Sequence, residues 1–172
     1  MKTVVNVSDM KFSRNPHEEL VTYALGSCLG VTMYDPVAMV GGMLHVMMPL
    51  SKADPEKARA KPAMYVDTGF SALINQCYDY GATRENLRIC VAGGASMKQS
   101  EKEDYFKIGQ RNITIFRKLL WKNGFIIYAQ DVGGTKSRTL LLRMSDGLVT
   151  VNKKPMANRN TGGAGLSVIH KK

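Results

Sequence analysis

Three cysteines are the first residues of this chain that could do chemistry, and one of them has the setting of a reactive thiol. Cys77 lies on the apolar stripe of a helical pattern, and Cys90 lies inside an apolar strand-like run, so both are predicted to be core residues. Cys28 lies between glycines in residues 26–30, where the backbone can turn and a substrate can approach the sulfur. Cys28 is therefore the candidate nucleophile.

A cysteine nucleophile needs a neighbouring base, and His45 is the candidate. It is flanked by apolar residues on a predicted strand at 41–49, whereas the other two histidines lie in polar or terminal segments. A lone histidine on such a strand is also typical of a satisfied core residue. A turn that begins at Asp35 predicts, however, that this strand folds back on the one after Cys28, which brings residues 28 and 45 to one end of a hairpin. Two nearby hydroxyls could orient the imidazole, those of Thr22 and Ser27.

Three other kinds of site are disfavoured by their context. Residues 26–30 match the glycine-flanked elbow of α/β-hydrolases, but a strand-like run follows where that elbow requires a helix. Residues 133–137 lack the glycine spacing of a phosphate-binding loop. No pair of cysteine or histidine residues has the spacing of a zinc site. The sequence therefore predicts no cofactor and no metal.

The size and composition are those of one globular domain, with 172 residues, 44% of them hydrophobic and 22% charged. No apolar run approaches the roughly 18 residues that a membrane-spanning helix requires, so no direct membrane insertion is expected. The N-terminus lacks the pattern of a secretory signal, and an odd number of cysteines suits a reducing compartment. The expected location is the cytoplasm.

The charge of the chain predicts an anionic partner, because the formal net charge is +10 and the sequence pI is about 9.6. From residue 151 onward there are five basic residues and no acidic one, which is half of the excess. Residues 153–172 are rich in Asn, Gly and Lys and are predicted to form a flexible basic tail, leaving 1–152 as a single domain. Basic residues are not interleaved with aromatic ones, so nucleic-acid binding is not expected.

The predicted elements do not alternate regularly between strand and helix. Runs rich in β-branched and aromatic residues predict strands, with an Asp-Gly turn joining the last two: 20–25, 29–35, 41–49, 87–94, 125–134, 139–144 and 148–152. Apolar residues spaced three and four apart predict helices at 65–80 and 109–123, each followed by a glycine. Residues 51–64 are read as a polar connector. This order predicts an α+β fold with a mixed sheet.

Six blocks of the sequence, taken together, resemble a known family, the CheD chemoreceptor glutamine deamidases. They occur in the family's order and at similar spacing: LGSC at 25–28, YDP at 34–36, GMLH with MP within 42–49, VAGGA at 91–95, IGQRN at 108–112 and DVGG at 131–134. The resemblance implies an α+β fold in which mixed β-sheets form a sandwich flanked by helices, similar to the catalytic domain of the cytotoxic necrotizing factor toxins.

The resemblance also implies an activity and a set of site residues. The activity is that of a protein-glutamine glutaminase, which converts glutamines of methyl-accepting chemotaxis receptors to glutamate with release of ammonia. The catalytic residues would be Cys28, His45 and Thr22. Ser27, Gly93 and Gly94 are further candidates for the border of the substrate cleft or the oxyanion site, and the alternative for the two glycines is a plain tight turn. The implied partners are the receptors and the phosphatase CheC. The alternative is a non-catalytic chemotaxis adaptor that binds receptor or CheC.

Overall fold

The protein is a sandwich of two five-stranded sheets with helices packed on one side. The computed structural model describes residues 1–96, 107–156 and 165–169. The first sheet contains, in spatial order, β1 (Lys2–Val4), β3 (Glu19–Leu25), β8 (Lys136–Arg143), β9 (Val149–Pro155) and β10 (Gly165–Val168). The second contains β2 (Asp9–Ser13), β5 (Val40–Val46), β4 (Leu29–Asp35), β6 (Arg88–Gly93) and β7 (Ile127–Val132). The α-helices are α1 (Pro55–Ala60), α2 (Val66–Asp79) and α3 (Ile108–Lys122).

Two hydrophobic layers hold the architecture together. One lies between the sheets and is built from apolar side chains of both, including Leu20, Leu140 and Met43. The other lies between the second sheet and the helices α2 and α3, and includes Val31, Phe70 and Phe116. Both sheets are mixed, because β1 pairs with β3 and β6 with β7 in parallel while the other pairs are antiparallel. The predicted α+β sandwich of mixed sheets flanked by helices is confirmed; its likeness to the toxin domain stays a prediction.

The central strand β4 contributes side chains to both hydrophobic layers, because successive side chains of a strand point to opposite faces of the sheet. Val31 and Met33 belong to the layer under the helices. A Cβ added at Gly30 would meet Leu140 and Leu25, so Gly30 faces the first sheet. Cys28 lies two residues before Gly30 and packs against the inter-sheet layer. The layer between the sheets is therefore where the candidate site must form.

The two long helices are those that the apolar spacing predicts. In each, one capping residue is followed by a glycine in the left-handed region, Gly81 at φ +94° and Gly124 at φ +70°, which is a common way for a helix to end. In α3 the buried stripe includes Ile113, Phe116 and Leu120. Among the helices of the described residues, none is long and apolar enough to cross a membrane.

Several elements differ from the sequence-based expectation. The polar connector at 51–64 contains α1 and two short 3₁₀ turns, Ser51–Ala53 and Pro62–Met64, because Asp54 accepts a hydrogen bond from the Lys57 N–H and caps the helix. The short strands β1 and β2 precede the first predicted one. The boundary predicted at residue 152 falls inside β9, and β10 pairs with β9 within the expected tail. The rest of that tail, 157–164 and 170–172, lies outside the described residues.

Candidate active site

A bulge in β3 places Thr22 inside the sandwich and leads the chain into the bend that carries Cys28. The pairing of β3 with β8 slips by one residue between Thr22 and Leu25, so that both side chains are buried while Tyr23 and Ala24 between them are exposed. Ala24 adopts φ +55° within the bulge. Residues 26–28 then form the bend that connects β3 to β4.

The β4–β5 hairpin brings His45 to the same end of the sandwich. Gly30 pairs with His45, and the register ends with Leu29 opposite Val46, one residue after Cys28. Cys28 therefore stands diagonally across the hairpin from His45, on the face that points at the first sheet. At the other end of the hairpin, the buried Asp35 carboxylate accepts hydrogen bonds from the turn and from the Thr83 N–H. The turn predicted at Asp35 is confirmed.

A hydrogen-bond chain fixes the protonation of the imidazole. The Thr22 hydroxyl donates to the Val5 carbonyl oxygen at 2.7 Å and lies 2.7 Å from His45 Nδ1. A hydroxyl has one proton to donate. Since that proton goes to Val5, Nδ1 must carry the proton shared with Thr22, and Nε2 of the neutral ring holds the lone pair. Of the two hydroxyls expected to orient the ring, Thr22 is the one in contact.

Burial keeps this imidazole neutral. His45 is 1% exposed. Desolvation of the charged form lowers its pKa from 6.5 to about 4, so the ring is uncharged at neutral pH. Nε2 is buried and has no hydrogen-bond partner among the described residues. A buried basic nitrogen without a partner is costly in a folded protein, and it leaves a lone pair able to take a proton.

Cys28 is the accessible thiol of the three. Burial raises its pKa, against a smaller lowering by its own backbone N–H, whereas burial raises the pKa of Cys77 to about 12 and that of Cys90 to about 11. Cys28 is half-buried, and the other two are fully buried. The resting pair is a neutral thiol and a neutral imidazole. Nε2 makes no hydrogen bond with the thiol in this structure; catalytic hydrogen bonds commonly tighten only in the substrate complex.

Three consecutive carbonyl groups of the bend accept hydrogen bonds from residues further along the chain. The Gly26 carbonyl accepts from Ala95 N–H at 2.8 Å, and the Cys28 carbonyl accepts from Gly94 N–H at 2.8 Å. Between them, the Ser27 carbonyl accepts from the Asn112 side chain at 3.0 Å. Within the described part of the chain, the N–H groups of Ser27 and Cys28 donate to no other residue. The bend therefore contains two N–H groups that no other described residue occupies.

The two glycines expected near the cleft contact the Cys28 carbonyl of the bend. Gly93 adopts φ +111°, and a Cβ there would come within 2.1 Å of the Cys28 carbonyl oxygen, so the close approach requires glycine. The Gly94 N–H is taken by that same carbonyl. Both residues thus contact the bend, and the Gly94 N–H is already occupied by the Cys28 carbonyl.

An ion-pair cluster around the buried Arg138 supports these glycines in turn. Arg138 donates to the Asp131 carboxylate at 3.0 Å and to the Gly133 carbonyl at 2.8 Å, and Lys153 contacts the same carboxylate at 2.8 Å. Burial acts to raise the pKa of Asp131, but the hydrogen bonds from Lys153 and Arg138 hold it below its usual range. The Gly133 N–H then donates to the Gly93 carbonyl at 2.9 Å. The cluster fixes the segment that holds the bend.

Asn112 is the residue that reasoning from the sequence passed over, although it lies in one of the family blocks. A signal was present, because Asn112 falls four residues before Phe116 and eight before Leu120, on the apolar stripe of α3. A polar side chain on such a stripe must find partners in the core.

No group of three or more potential metal ligands (His, Cys, Asp or Glu) occurs in the described residues.

The fold and the site together define an α+β sandwich protein in which His45 contacts Thr22 near the end of the β4–β5 hairpin, and the bend with Cys28 directly precedes β4. A family model described as CheD chemotactic sensory transduction matches residues 47–153, more than half of the chain. The chain belongs to the CheD family, as its resemblance predicts. The matched range begins after His45, so it includes none of Cys28, His45 and Thr22.

Curated relatives of this chain carry the same family name. A protein of Syntrophus aciditrophicus named probable chemoreceptor glutamine deamidase CheD 1 is 44% identical over 148 residues, 86% of this chain and 91% of the relative. A probable chemoreceptor glutamine deamidase CheD of Solibacter usitatus is 45% identical over 84% of each chain. One of Pyrococcus abyssi with the same name is 42% identical over 77% of this chain and 80% of its own.

Proposed function

We propose that this protein is a chemoreceptor glutamine deamidase in which Cys28 is the nucleophile, His45 the base and Thr22 the residue that orients the base. The names of its relatives supply the substrate class, a glutamine side chain of a chemoreceptor. The observation that carries the proposal is the hydrogen-bond chain from Val5 through Thr22 to His45, because it leaves the buried Nε2 as a proton acceptor at the end of the hairpin near Cys28.

The first half of the reaction is thiolysis of the amide. Because both resting groups are neutral, the thiol proton passes to His45 Nε2 as the sulfur attacks the side-chain carbonyl carbon. Negative charge develops on the carbonyl oxygen, and the N–H of Cys28 is the first candidate to stabilise it, followed by that of Ser27. The imidazolium then protonates the departing nitrogen, and ammonia leaves a thioester on Cys28.

The second half is hydrolysis of the thioester. His45 removes a proton from water, which attacks the thioester carbonyl, and the proton returns to the sulfur as the C–S bond breaks. The products are glutamate and the free thiol. Thr22 keeps the Nδ1 proton in place throughout, which fixes both the tautomer and the direction of Nε2.

The test is ammonia release from a recombinant cytoplasmic fragment of a chemoreceptor, with mass spectrometry to identify glutamines converted to glutamate. Cys28→Ala and His45→Ala should reduce turnover to background, since each removes a group that bonds or exchanges protons with substrate. Thr22→Val should lower kcat by about 10- to 100-fold, with Thr22→Ser retaining most of it.

The matched control is Cys77→Ala, which removes a buried thiol on α2 and should keep the turnover of each folded molecule. Wild-type turnover in Cys28→Ala would exclude the proposed nucleophile. Receptor binding by the wild-type protein without any release of ammonia would support the non-catalytic adaptor instead.

A further inference from the structure

Asn112 joins the two segments that carry the candidate catalytic groups. Its side-chain Nδ2 donates to the Ser27 carbonyl at 3.0 Å and to the Met47 carbonyl at 3.2 Å. Ser27 directly precedes Cys28, and Met47 follows His45 by two positions. The side chain is 0% exposed. One amide group on α3 therefore binds both the bend and the end of β5.

The location of this amide explains why the fold needs it. The β4–β5 ladder ends at Leu29 opposite Val46, after which the Met47 N–H turns away to the Met64 carbonyl. The carbonyls of Ser27 and Met47 lie just past that end, where β5 and the bend no longer pair with each other. Buried carbonyls require donors. The two N–H groups of the Asn112 side chain donate the hydrogen bonds that a further β4–β5 residue pair would otherwise supply to these carbonyls.

The chemistry of the amide group also determines its orientation. Two carbonyl oxygens can be bridged by an NH₂ group and not by a side-chain oxygen, so the nitrogen must face them. An aspartate of the same shape would point oxygen atoms at oxygen atoms. Among uncharged side chains only asparagine and glutamine offer two such protons, and glutamine is one methylene longer.

The peptide between Ser27 and Cys28 links the Asn112 contact to the proposed reaction centre. The Ser27 carbonyl and the Cys28 N–H belong to one planar trans peptide and point in opposite directions. By holding the carbonyl, Asn112 fixes the direction of the N–H, and a hydrogen bond at the oxygen also polarises the peptide and strengthens its N–H as a donor. The neighbouring peptide is held similarly, since Ala95 N–H binds the Gly26 carbonyl.

We infer that Asn112 is a positioning residue of the deamidase, which holds the Cys28 N–H toward the developing oxyanion and sets the bend against the strand of His45. The inference rests on the proposed function. It assigns Asn112 no contact with substrate. The contribution is expected in the transition state, where the oxyanion forms, and therefore in kcat more than in KM.

The experiment compares Asn112→Ala and the isosteric Asn112→Asp with the wild-type protein, using the same chemoreceptor fragment and correcting each rate for the folded fraction. Asn112→Ala and Asn112→Asp should lower kcat by about 10- to 100-fold with KM within about 3-fold. In Asn112→Ala the plateau of the pH profile should fall while its inflections stay in place, because neither asparagine nor alanine titrates. If Asn112→Ala does not fold, Asn112→Asp preserves the volume of the site and gives the answer.

A second readout does not depend on turnover. Loss of the two Asn112 hydrogen bonds should make the bend more mobile and speed the alkylation of Cys28 by iodoacetamide about 3-fold or more. Cys77 and Cys90 should stay protected in the folded protein. Leu120→Ala is the matched control, since it removes a buried side chain from the same helix two turns further on without touching the bend. It should leave both kcat and Cys28 alkylation unchanged.

The outcomes separate this inference from the proposed function. Wild-type kcat and wild-type alkylation in a folded Asn112→Ala or Asn112→Asp would overturn the positioning role while Cys28→Ala remained inactive. Equal losses of kcat in Asn112→Ala and Leu120→Ala would show that Asn112 has only a structural role, and this result would also overturn the inference. An inactive wild-type protein would instead overturn the proposed function.

Discussion

Thr22 contributes to the candidate site through the direction of the hydrogen bond that its hydroxyl donates. Its hydroxyl donates to the Val5 carbonyl and is thereby made an acceptor for His45 Nδ1. A serine keeps this arrangement and a valine of nearly the same shape does not, so the residue acts through one oxygen atom. The same logic applies to Asn112, whose two protons are both committed to carbonyl groups. Each side chain fixes the direction of a group that is itself closer to the chemistry.

The low pKa of His45 predicts a specific dependence of stability on pH. An unfolded chain binds a proton at this ring below its ordinary pKa of 6.5, whereas the folded protein does not until the pH falls to about 4. Between these values the unfolded state holds more protons, so the free energy of unfolding should decrease as the pH is lowered from 6.5 to 4. The full effect of His45 is about 3 kcal/mol. Chemical denaturation at a series of pH values measures it.

His45→Gln is the comparison that isolates this contribution, because carboxylates titrate in the same acid range. The difference in unfolding free energy between wild type and His45→Gln should change by about 3 kcal/mol between pH 6.5 and pH 4 and be constant above pH 7. A difference that does not vary with pH would show that the imidazole is not held neutral by burial.

The candidate catalytic residues could be proposed from the sequence, whereas the residues that support them could not. Cys28 and His45 stand out because a glycine-flanked bend and an apolar strand are local patterns in the sequence. Asn112 contacts carbonyls 85 and 65 residues away, and no local pattern encodes the meeting of α3 with the end of a hairpin. The Gly93 requirement is of the same kind, since it arises from the approach of Cys28.

At the scale of elements, prediction succeeded where the periodicity was sustained and failed where pairing was long-range. Helices α2 and α3 follow from apolar spacing, and each ends next to the glycine that the sequence supplies. β4 is found at the predicted residues, 29–35. β1 is three residues long and is held by its parallel pairing with β3, so its own sequence carries little signal. β10 likewise depends on its partner β9.

The contact between β6 and the bend before β4 predicts a severe effect of Gly93→Ala. The added Cβ would lie 2.1 Å from the Cys28 carbonyl oxygen, at a φ of +111° that side chains rarely adopt. The bend must move, so we expect loss of about 2 to 4 kcal/mol in stability together with loss of ammonia release from the folded fraction. Chemical denaturation and the turnover assay measure the two effects.

Gly81→Ala is the matched control for this substitution. Gly81 has a similar φ of +94°, but nothing lies within 4 Å of its would-be Cβ. It should cost about 1 kcal/mol from the backbone alone and leave turnover intact. If Gly93→Ala behaves like Gly81→Ala in both measurements, the bend does not depend on the close approach of β6.

At the scale of the whole molecule, the candidate site lies where three layers come together. Thr22 belongs to the first sheet, His45 to the second, and Asn112 to the helices beyond it. Cys28 lies in the connection from one sheet to the other. A displacement of any layer would therefore change the geometry between the groups. The two hydrophobic layers that hold the sheets and helices together also hold the site.

The charge of the whole chain predicts how it meets the proposed substrate. The formal net charge is +10. A protein of this charge attracts an anionic partner over long range, and we expect the receptor surface that carries the proposed glutamines to be anionic. The association rate constant with a chemoreceptor fragment should fall as salt is raised, because the screening length shrinks from about 10 Å at 0.1 M to about 3 Å at 1 M. Stopped-flow measurement gives this rate.

Two exposed lysines on α3, Lys118 and Lys122, provide the variant that separates charge from contact. Replacing both by glutamate removes two positive charges and adds two negative ones, which takes the net charge from +10 to +6. The double variant should associate more slowly at low salt, converge with the wild type at high salt and keep its kcat. Lys118→Arg with Lys122→Arg keeps the charge and should match the wild type throughout. An association rate that is flat with salt in all three proteins would mean that the net charge has no part in finding the receptor.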